Sequence, residues 1–277
     1  FEFCSLGSGS SGNASLLRIG SQKILIDAGL SLRKIDTAFT VLNLKPENVD
    51  MLFLTHAHSD HSKSIYQFAK KYTKPVYMTK ETYHSFIKKE PRALQDMKVY
   101  FFENELQLQD ALIKVYRLPH IGVHVDGRDD AGGNIGFLFN YLSGGQECRF
   151  AYFTDLGEMP ESVFGEIKDS DYYFLESNHD VKWQRVSRRP VQVIERNLSA
   201  FGHLSNDQAG DILSRLIVGD QDTRKTRGVM LAHLSHECNS HVLARETIEN
   251  ILIQNQIMGV DIKIAPEKAL SEYVKLL

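Results

Sequence analysis

Short apolar runs with the length of β-strands recur along the chain, separated by polar and turn-forming segments. Runs of this kind, bounded by turn residues, are typical of strands. The predicted strands are Glu2–Ser5, Ser15–Ile19, Lys23–Ile26, Met51–Thr55, Lys98–Phe101, Ile113–Leu118, Ile135–Asn140, Arg149–Phe153, Tyr172–Leu175 and Gly228–Leu231.

Helical patterns lie between many of these runs. The clearest follows Ser205, which forms a capping box with Gln208, and its apolar residues at helical spacing are Ala209, Ile212, Leu213, Leu216 and Ile217. A second helix is predicted from Ile65 to Tyr72, and a third after Pro190, which suits a first helical turn. Early hairpin strands followed by alternating strands and helices predict an α/β protein with two sheets flanked by helices. We find no internal repeat or linker, so we expect a single domain over residues 1–277.

Composition narrows the class of protein. A hydrophobic fraction of 42% with 24% charged residues is typical of a globular chain, and no apolar stretch approaches the roughly 20 residues that span a bilayer. We therefore expect a cytoplasmic protein without a membrane partner. Cys4, Cys148 and Cys238 are widely scattered, which favours reduced structural thiols.

A net charge of -3 argues against binding nucleic acid by bulk positive charge, so any such contact must be local. The segment from Lys182 to Arg196 is locally basic, because it carries Lys182, Arg185, Arg188, Arg189 and Arg196 against a single Glu195. It either lines a phosphate track or forms an ordinary solvated face. Trp183 either stacks on a base or belongs to the core.

The chemistry is concentrated after the strand Met51–Thr55, in the sequence His-Ala-His-Ser-Asp-His. Imidazole and carboxylate groups suit Zn²⁺ or Mn²⁺, and four of them within six residues require a loop wrapped around a metal cluster. A chance run of histidines would leave costly unpaired polar groups. We therefore predict metal binding by His56, His58, Asp60 and His61.

This H-x-H-x-D-H motif resembles the signature of the metallo-β-lactamase superfamily, which implies a four-layer αββα sandwich and two divalent metal ions. The resemblance implies that His56, His58 and His120 hold one metal, that Asp60, His61 and His233 hold the other, and that Asp155 bridges them; each of the later three residues follows a predicted strand.

Several of these assignments have competitors. His124 is the alternative to His120, and His236 and His241 are the alternatives to His233. Asp27 follows another apolar strand. It either accepts a hydrogen bond from a ligating imidazole or simply begins a turn that contains glycine.

Three further segments resemble the YycJ/WalJ-like group of exonucleases within this superfamily: Ser5–Asn13, Leu175–Asp180 and Gly202–Asp207. The resemblance implies a DNA substrate and degradation from the 5′ end. RNA stays open, and so does the metal, since Zn²⁺, Mn²⁺ and Fe²⁺ all suit these ligands.

Candidate substrate contacts come from the same segments. The Gly/Ser loop offers Ser8, Ser10, Ser11 and Asn13 to a phosphate, and its alternative is a plain hairpin turn. Asn178 and Arg185 are further candidates, and His203 and His179 are candidate proton donors, with structural capping as the alternative for His203.

The mechanism that these features suggest is attack on phosphorus by a hydroxide that two metals share, with Asp60 orienting it. One rival function is hydrolysis of a small ester, thioester or cyclic nucleotide in a narrow pocket. The other is a metal-dependent regulatory protein without turnover.

Overall fold

The computed structural model describes residues 1–120, 133–219 and 222–277. The strands are β1 (Glu2–Gly7), β2 (Ala14–Ile19), β3 (Gln22–Ile26), β4 (Met51–Phe53), β5 (Val76–Met78), β6 (Val99–Phe101), β7 (Glu105–Gln107), β8 (Ala111–Arg117), β9 (Ile135–Ser143), β10 (Gln146–Phe153), β11 (Tyr172–Glu176), β12 (Gly228–Ala232), β13 (Asp261–Ile264) and β14 (Val274–Lys275). The helices are α1 (Leu32–Val41), α2 (Ser59–Ser62), α3 (Ile65–Tyr72), α4 (Lys80–Lys89), α5 (Ala93–Asp96), α6 (Glu161–Ile167), α7 (Val181–Val186), α8 (Val191–Asn197), α9 (Asn206–Leu216) and α10 (His241–Gln254), with a 3₁₀ turn at Pro46–Asn48.

The strands form two mixed sheets, in the orders β14-β1-β2-β3-β4-β5-β6 and β13-β12-β11-β10-β9-β8-β7. In the first sheet β3 and β4 run parallel, and in the second β10, β11 and β12 run parallel. β8 has the same direction as β10, because both pair antiparallel with β9. The carboxyl ends of parallel strands therefore gather at one edge of each sheet, where ligands commonly bind.

The core consists of three apolar clusters, one between the two sheets and one between each sheet and its helices. Aromatic side chains fill the space between the sheets, where Tyr152 stacks on Phe174 at 4.6 Å between ring centroids. Phe39 of α1 and Phe68 of α3 pack on the outer face of the first sheet. Leu213 of α9 and the apolar residues of α10 cover the second sheet. The layers thus run helix, sheet, sheet, helix, which confirms the predicted αββα sandwich.

The predicted helices are confirmed, and α9 begins with the expected capping box between Ser205 and Gln208. Sequence periodicity missed β5, β7, β13 and β14, which are short, and β7, β13 and β14 lie at sheet edges. All three cysteines are free and buried, as expected. Trp183 is 45% exposed, so it is not a core residue. Among the described residues, none of the helices has the length and apolar character needed to cross a membrane.

Candidate metal centre

The predicted donor side chains follow the carboxyl ends of four strands. His56 comes after β4, His120 after β8, Asp155 after β10 and His233 after β12. Asp155 and His233 have left-handed backbones, with φ of 58° and 53°. Such a conformation is uncommon outside glycine, and it turns the chain immediately after the strand. The two sheets therefore contribute side chains to one shared site.

The H-x-H-x-D-H segment is held by the residue before β2 and by the turn that follows β3. Asn13 N–H donates to the carbonyl of Asp60 at 2.7 Å, and Ala28 N–H donates to the carbonyl of His61 at 2.8 Å. Gly29 packs so closely that an added Cβ would lie 1.6 Å from the Asp60 carbonyl oxygen. Only glycine permits this approach, which sets the position of the whole segment.

The first donor group consists of His56, His58 and His120. His56 Nε2 lies 2.8 Å from His58 Nδ1, which lies 3.3 Å from His120 Nε2. One nitrogen from each ring thus faces the same point, all within 4.8 Å of one another. Three imidazole nitrogens arranged in this way fit a zinc-type cation.

The second donor group consists of Asp60, His61, Asp155 and His233. His61 Nε2 lies 3.1 Å from Asp155 Oδ2 and 3.5 Å from Asp60 Oδ2. His233 Nε2 lies 3.4 Å from Asp60 Oδ2 and 3.6 Å from Asp155 Oδ1. Two imidazoles and two carboxylates are a donor set that suits Zn²⁺, Mn²⁺ or Fe²⁺.

Asp155 lies between the two groups. Its Oδ1 is 3.9 Å from His120 Nε2 of the first group, while its Oδ2 faces His61 of the second. Oδ2 is buried, and apart from the approach of His61 Nε2 to 3.1 Å it has no hydrogen-bond partner within the described residues. A buried carboxylate oxygen without a hydrogen bond is rare, and a cation in contact with it would satisfy it. The residues present therefore fit a pair of divalent metals with Asp155 between them.

The second ring nitrogens of His61 and His120, which face away from the donor groups, also have hydrogen-bond partners. His61 Nδ1 lies 2.8 Å from Asp27 Oδ2, and Asp27 accepts hydrogen bonds from the backbone N–H and hydroxyl of Thr55. His120 Nδ1 lies 3.0 Å from the carbonyl of Gly202. These partners fix ring orientation and tautomer, which is the usual role of groups behind metal ligands. Of the two alternatives for Asp27, the hydrogen bond to a candidate ligand is present.

Glu176, at the end of β11, is a site residue that sequence reasoning did not single out. Its Oε1 lies 2.8 Å from Nδ1 of both His203 and His233, and its Oε2 accepts the backbone N–H groups of Leu156 and Leu204. The side chain is completely buried. Its signal in the sequence was a carboxylate directly after an apolar strand, the same signal that Asp27 and Asp155 carry.

Electrostatics divide the histidines into two sets. Burial lowers the pKa of His58 to about 4 and that of His120 to about 3, so these rings are neutral and ready to donate a lone pair. Burial also opposes charge on His233, but the carboxylates of Asp155, Asp60 and Glu176 outweigh it and raise the pKa to about 10. Burial likewise opposes charge on His61, but the carboxylates of Asp155, Asp27 and Asp60 outweigh it and raise its pKa. Metal binding at the second group would therefore release protons.

Comparison with known proteins agrees with this geometry. The family model of the metallo-β-lactamase superfamily matches residues 7–157, just over half of the chain. The chain belongs to this superfamily. It is 30% identical to the exodeoxyribonuclease WalJ of Streptococcus pneumoniae, over 95% of this chain and 93% of the relative. It is also 30% identical to the exodeoxyribonuclease YycJ of Bacillus anthracis, over 91% and 89%.

Among solved structures, the metallo-β-lactamase fold protein YhfI from Bacillus subtilis matches with a TM-score of 0.67 and 18% identity, covering 98% of this chain and 99% of the other. That likeness supports the fold. The family match and the curated relatives together identify the chain as a hydrolase of the metallo-β-lactamase superfamily.

In this superfamily member both donor groups contribute to the lining of a cleft of about 530 Å³, through His58 and His120 of the first and Asp60, Asp155 and His233 of the second. Asn178, Ser10 and His203, three of the predicted substrate or catalytic residues, line the cleft. The basic residues in its wall are Arg189 and Arg196, whereas Arg185 does not line it. The basic segment thus reaches the site, through side chains other than the one predicted. His124 lies outside the described residues.

The remaining predicted site residues are distributed as follows. Ser8 and Asn13 are buried: the Ser8 hydroxyl accepts the N–H of His233 at 2.9 Å, and Asn13 Nδ2 lies 3.0 Å from His61 Nε2. Ser11 is exposed beside the cleft. His179 is fully buried, does not line the cleft, and has no hydrogen bond to either ring nitrogen within the described chain. Burial lowers its pKa to about 4.

Proposed function

We propose that this chain is a metal-dependent phosphodiesterase that acts as an exonuclease on DNA, degrading it from the 5′ end. The observation that carries the proposal is the joining of two donor groups through Asp155, in the lining of a cleft whose wall includes Arg189 and Arg196. A paired-metal centre suits in-line displacement at phosphorus, and the arginines suit the phosphates of a strand. The names of the WalJ and YycJ relatives support DNA as the substrate class.

When bound, the metals would acidify a water molecule and polarise the phosphoryl oxygens. Asp60 has 23% of its side chain exposed and lines the cleft, so it is placed to orient the attacking water. Arg189 is held by the Ser235 hydroxyl at 3.2 Å and by Glu237 at 2.7 Å, and this fixed guanidinium would position a phosphate.

His203 would supply the proton for the leaving oxygen. Its Nδ1 is held by Glu176 at 2.8 Å, which leaves Nε2 as the nitrogen that a substrate in the cleft can meet. In its protonated form such a ring donates to a departing 3′ oxygen, and Glu176 stabilises the charge that the ring carries. His179 is a weaker candidate, because it is buried outside the cleft lining.

The test is incubation with Mn²⁺ or Zn²⁺ and DNA labelled at either the 5′ or the 3′ end, in single- and double-stranded form. Stepwise release from the 5′ end is the expected result. Bis(p-nitrophenyl) phosphate and a β-lactam serve as small substrates in parallel. Turnover of small substrates alone would favour the small-molecule rival, and no turnover at all would favour the regulatory one.

A further inference from the structure

Three concave regions adjoin one another on the surface around the metal centre. The cleft of about 530 Å³ shares Ser10 and Arg189 with a smaller pocket of about 300 Å³. That pocket shares Glu267 and Lys268 with a groove of about 670 Å³ beside α1, which we call the α1 groove. Neighbouring regions share lining residues, so they follow one another across the surface from the cleft to α1, and we call this path the channel.

The Gly/Ser loop divides the two ends of this channel. On one side, Ser8 and Asn13 bond to the donor segment, as described above. On the other side Gly7 packs on the α1 groove, where an added Cβ would lie 3.0 Å from the Glu267 carbonyl and 3.2 Å from the Leu30 side chain. The tip of the loop, Ser10, is exposed and lines the channel. A ligand that extends from the cleft towards α1 would therefore cross this tip.

The α1 groove carries positive charge that the fold itself does not use. Arg33 and Lys34 lie in the first turn of α1, are exposed, and have no ion pair within the described parts of the chain. Cations in a first helical turn oppose the helix dipole, so they do not stabilise α1. In a chain of net charge -3, this local pair offers binding to an anion.

The floor of the α1 groove is apolar. Leu6, Leu30, Ala38 and Leu270 line it, and Val41 at its end is 68% exposed. The floor is aliphatic, so the bases of a single strand would be held there by apolar contact, while its phosphates meet the cations of the rim. A duplex would hide its bases from this floor. Continuity with the proposed phosphodiesterase cleft favours a nucleic acid over an acidic peptide.

We infer that single-stranded DNA extends from the cleft, across the tip of the Gly/Ser loop, into the α1 groove, where Arg33 and Lys34 bind its phosphates. This inference rests on the proposed function and deepens it. Nucleotides remote from the cleaved bond then contribute to affinity, so longer strands bind more tightly than short ones. Sequence preference in the groove is weak, because aliphatic packing does not read base edges.

The test measures binding of fluorescein-labelled, phosphorothioate-linked oligo-dT of four and of twenty nucleotides to metal-loaded protein by fluorescence anisotropy. The test variant is Arg33→Gln/Lys34→Gln, and glutamine keeps the helix propensity of α1. The matched control is Lys168→Gln/Lys275→Gln, which removes the same charge from two exposed lysines that line none of the three regions.

For the wild type we expect much tighter binding of the longer oligonucleotide. The test variant should lose about tenfold in affinity for it, and the slope of log K against log salt should fall by about 1.4, since each lost phosphate contact on a single strand contributes roughly 0.7. Affinity for the four-nucleotide strand and hydrolysis of bis(p-nitrophenyl) phosphate should stay unchanged. The control variant should match the wild type.

Equal affinity for both lengths, an equal loss in the control variant, or no loss in the test variant would each overturn the inference. Tighter binding of a twenty-base-pair duplex than of the single strand would overturn it as well. Failure of the proposed function has a different signature. In that case the length-dependent binding persists and responds to Arg33 and Lys34, but no DNA is cleaved.

Discussion

The carboxylate of Glu176 lies 2.8 Å from Nδ1 of His233 through its Oε1 atom. The same oxygen lies 2.8 Å from Nδ1 of His203, so a single buried group holds both a donor of the second metal group and the proposed proton donor. A change at Glu176 should therefore affect metal binding and proton transfer together.

Glu176→Gln tests this link. The glutamine amide is uncharged, and its NH₂ group cannot accept a hydrogen bond from a ring N–H. His233 should therefore lose the partner that fixes its orientation. We expect metal affinity to fall by about 10- to 100-fold, the usual effect of removing such a partner. Titration with Zn²⁺ against a chelating indicator measures this. Glu166→Gln, at an exposed carboxylate on α6, is the control, and equal metal affinity in both variants would contradict the assignment.

Asp155→Ala should abolish hydrolysis, because it removes the carboxylate whose Oδ1 lies near the first donor group and whose Oδ2 lies near the second. The sandwich should persist, since its core lies between the sheets and under the helices, and near-UV circular dichroism checks this. His61→Ala should act in the same way. Asp211→Ala, at an exposed side chain of α9, serves as the control. Full nuclease activity in metal-loaded Asp155→Ala protein would refute the two-metal assignment.

The two candidate proton donors can be separated by parallel substitutions. His203→Gln should lower kcat by roughly 100-fold or more at unchanged metal content, because this ring lines the cleft. His179→Gln should leave kcat within a few-fold, because the ring is buried outside the cleft lining. Steady-state kinetics with metal analysis distinguish the two, and the reverse pattern would transfer the role to His179.

Stability of the metal-free protein should depend on pH on both sides of neutrality. Burial lowers the pKa of His58 to about 4 and of His120 to about 3, so between pH 6.5 and 3 these two rings bind more protons in the unfolded chain, and stability decreases as the pH is lowered. Burial of the His233 ring lowers its pKa, but Asp155, Asp60 and Glu176 outweigh this effect and raise the pKa to about 10. Its contribution is complete below about 6.5 and is lost as pH rises towards 10.

Urea unfolding in the presence of a chelator measures this at pH 5, 6.5 and 9. The midpoint should be highest near pH 6.5. His120→Gln should reduce the loss on the acidic side, and His233→Gln should reduce the loss on the basic side. An unchanged midpoint across this range would show that the histidines titrate alike in both states.

Gly29→Ala should disable the site through backbone contact alone. A methyl group there would lie 1.6 Å from the Asp60 carbonyl oxygen, so the donor segment must move. Metal content and activity should both fall. Gly165→Ala in α6 has nothing within 4 Å of the new methyl group and should instead stabilise the protein by about 1 kcal/mol. Crystallography or metal analysis of the Gly29→Ala protein showing an intact centre would contradict this account.

Much of the site could be predicted from the chain because its donors follow strand ends. His56, His120, Asp155 and His233 each end an apolar run, and parallel strands bring such ends together. The sequence could not rank Arg185 against Arg189, because a run of basic residues does not show which of its side chains face a cleft that is formed by other parts of the chain. The structure places Arg189 there through its bonds to Ser235 and Glu237.

The sequence also allowed only part of the role of the Gly/Ser loop to be predicted. Its residue types suit phosphate contact, yet Ser8 and Asn13 face inward to His233 and His61, contacts that span more than 200 and 40 residues of sequence. Such long-range partners leave no local pattern. Short strands such as β5 and β14 were missed for a related reason, since their pairing depends on neighbours rather than on their own periodicity.

Each donor group combines side chains from both sheets: His56 and His58 meet His120, and Asp60 and His61 meet Asp155 and His233. A cation in either group would therefore join the two halves of the sandwich as a cross-link does. Loading with metal would require that the halves have already docked, so a misassembled or half-translated chain would stay without its metals until folding is complete.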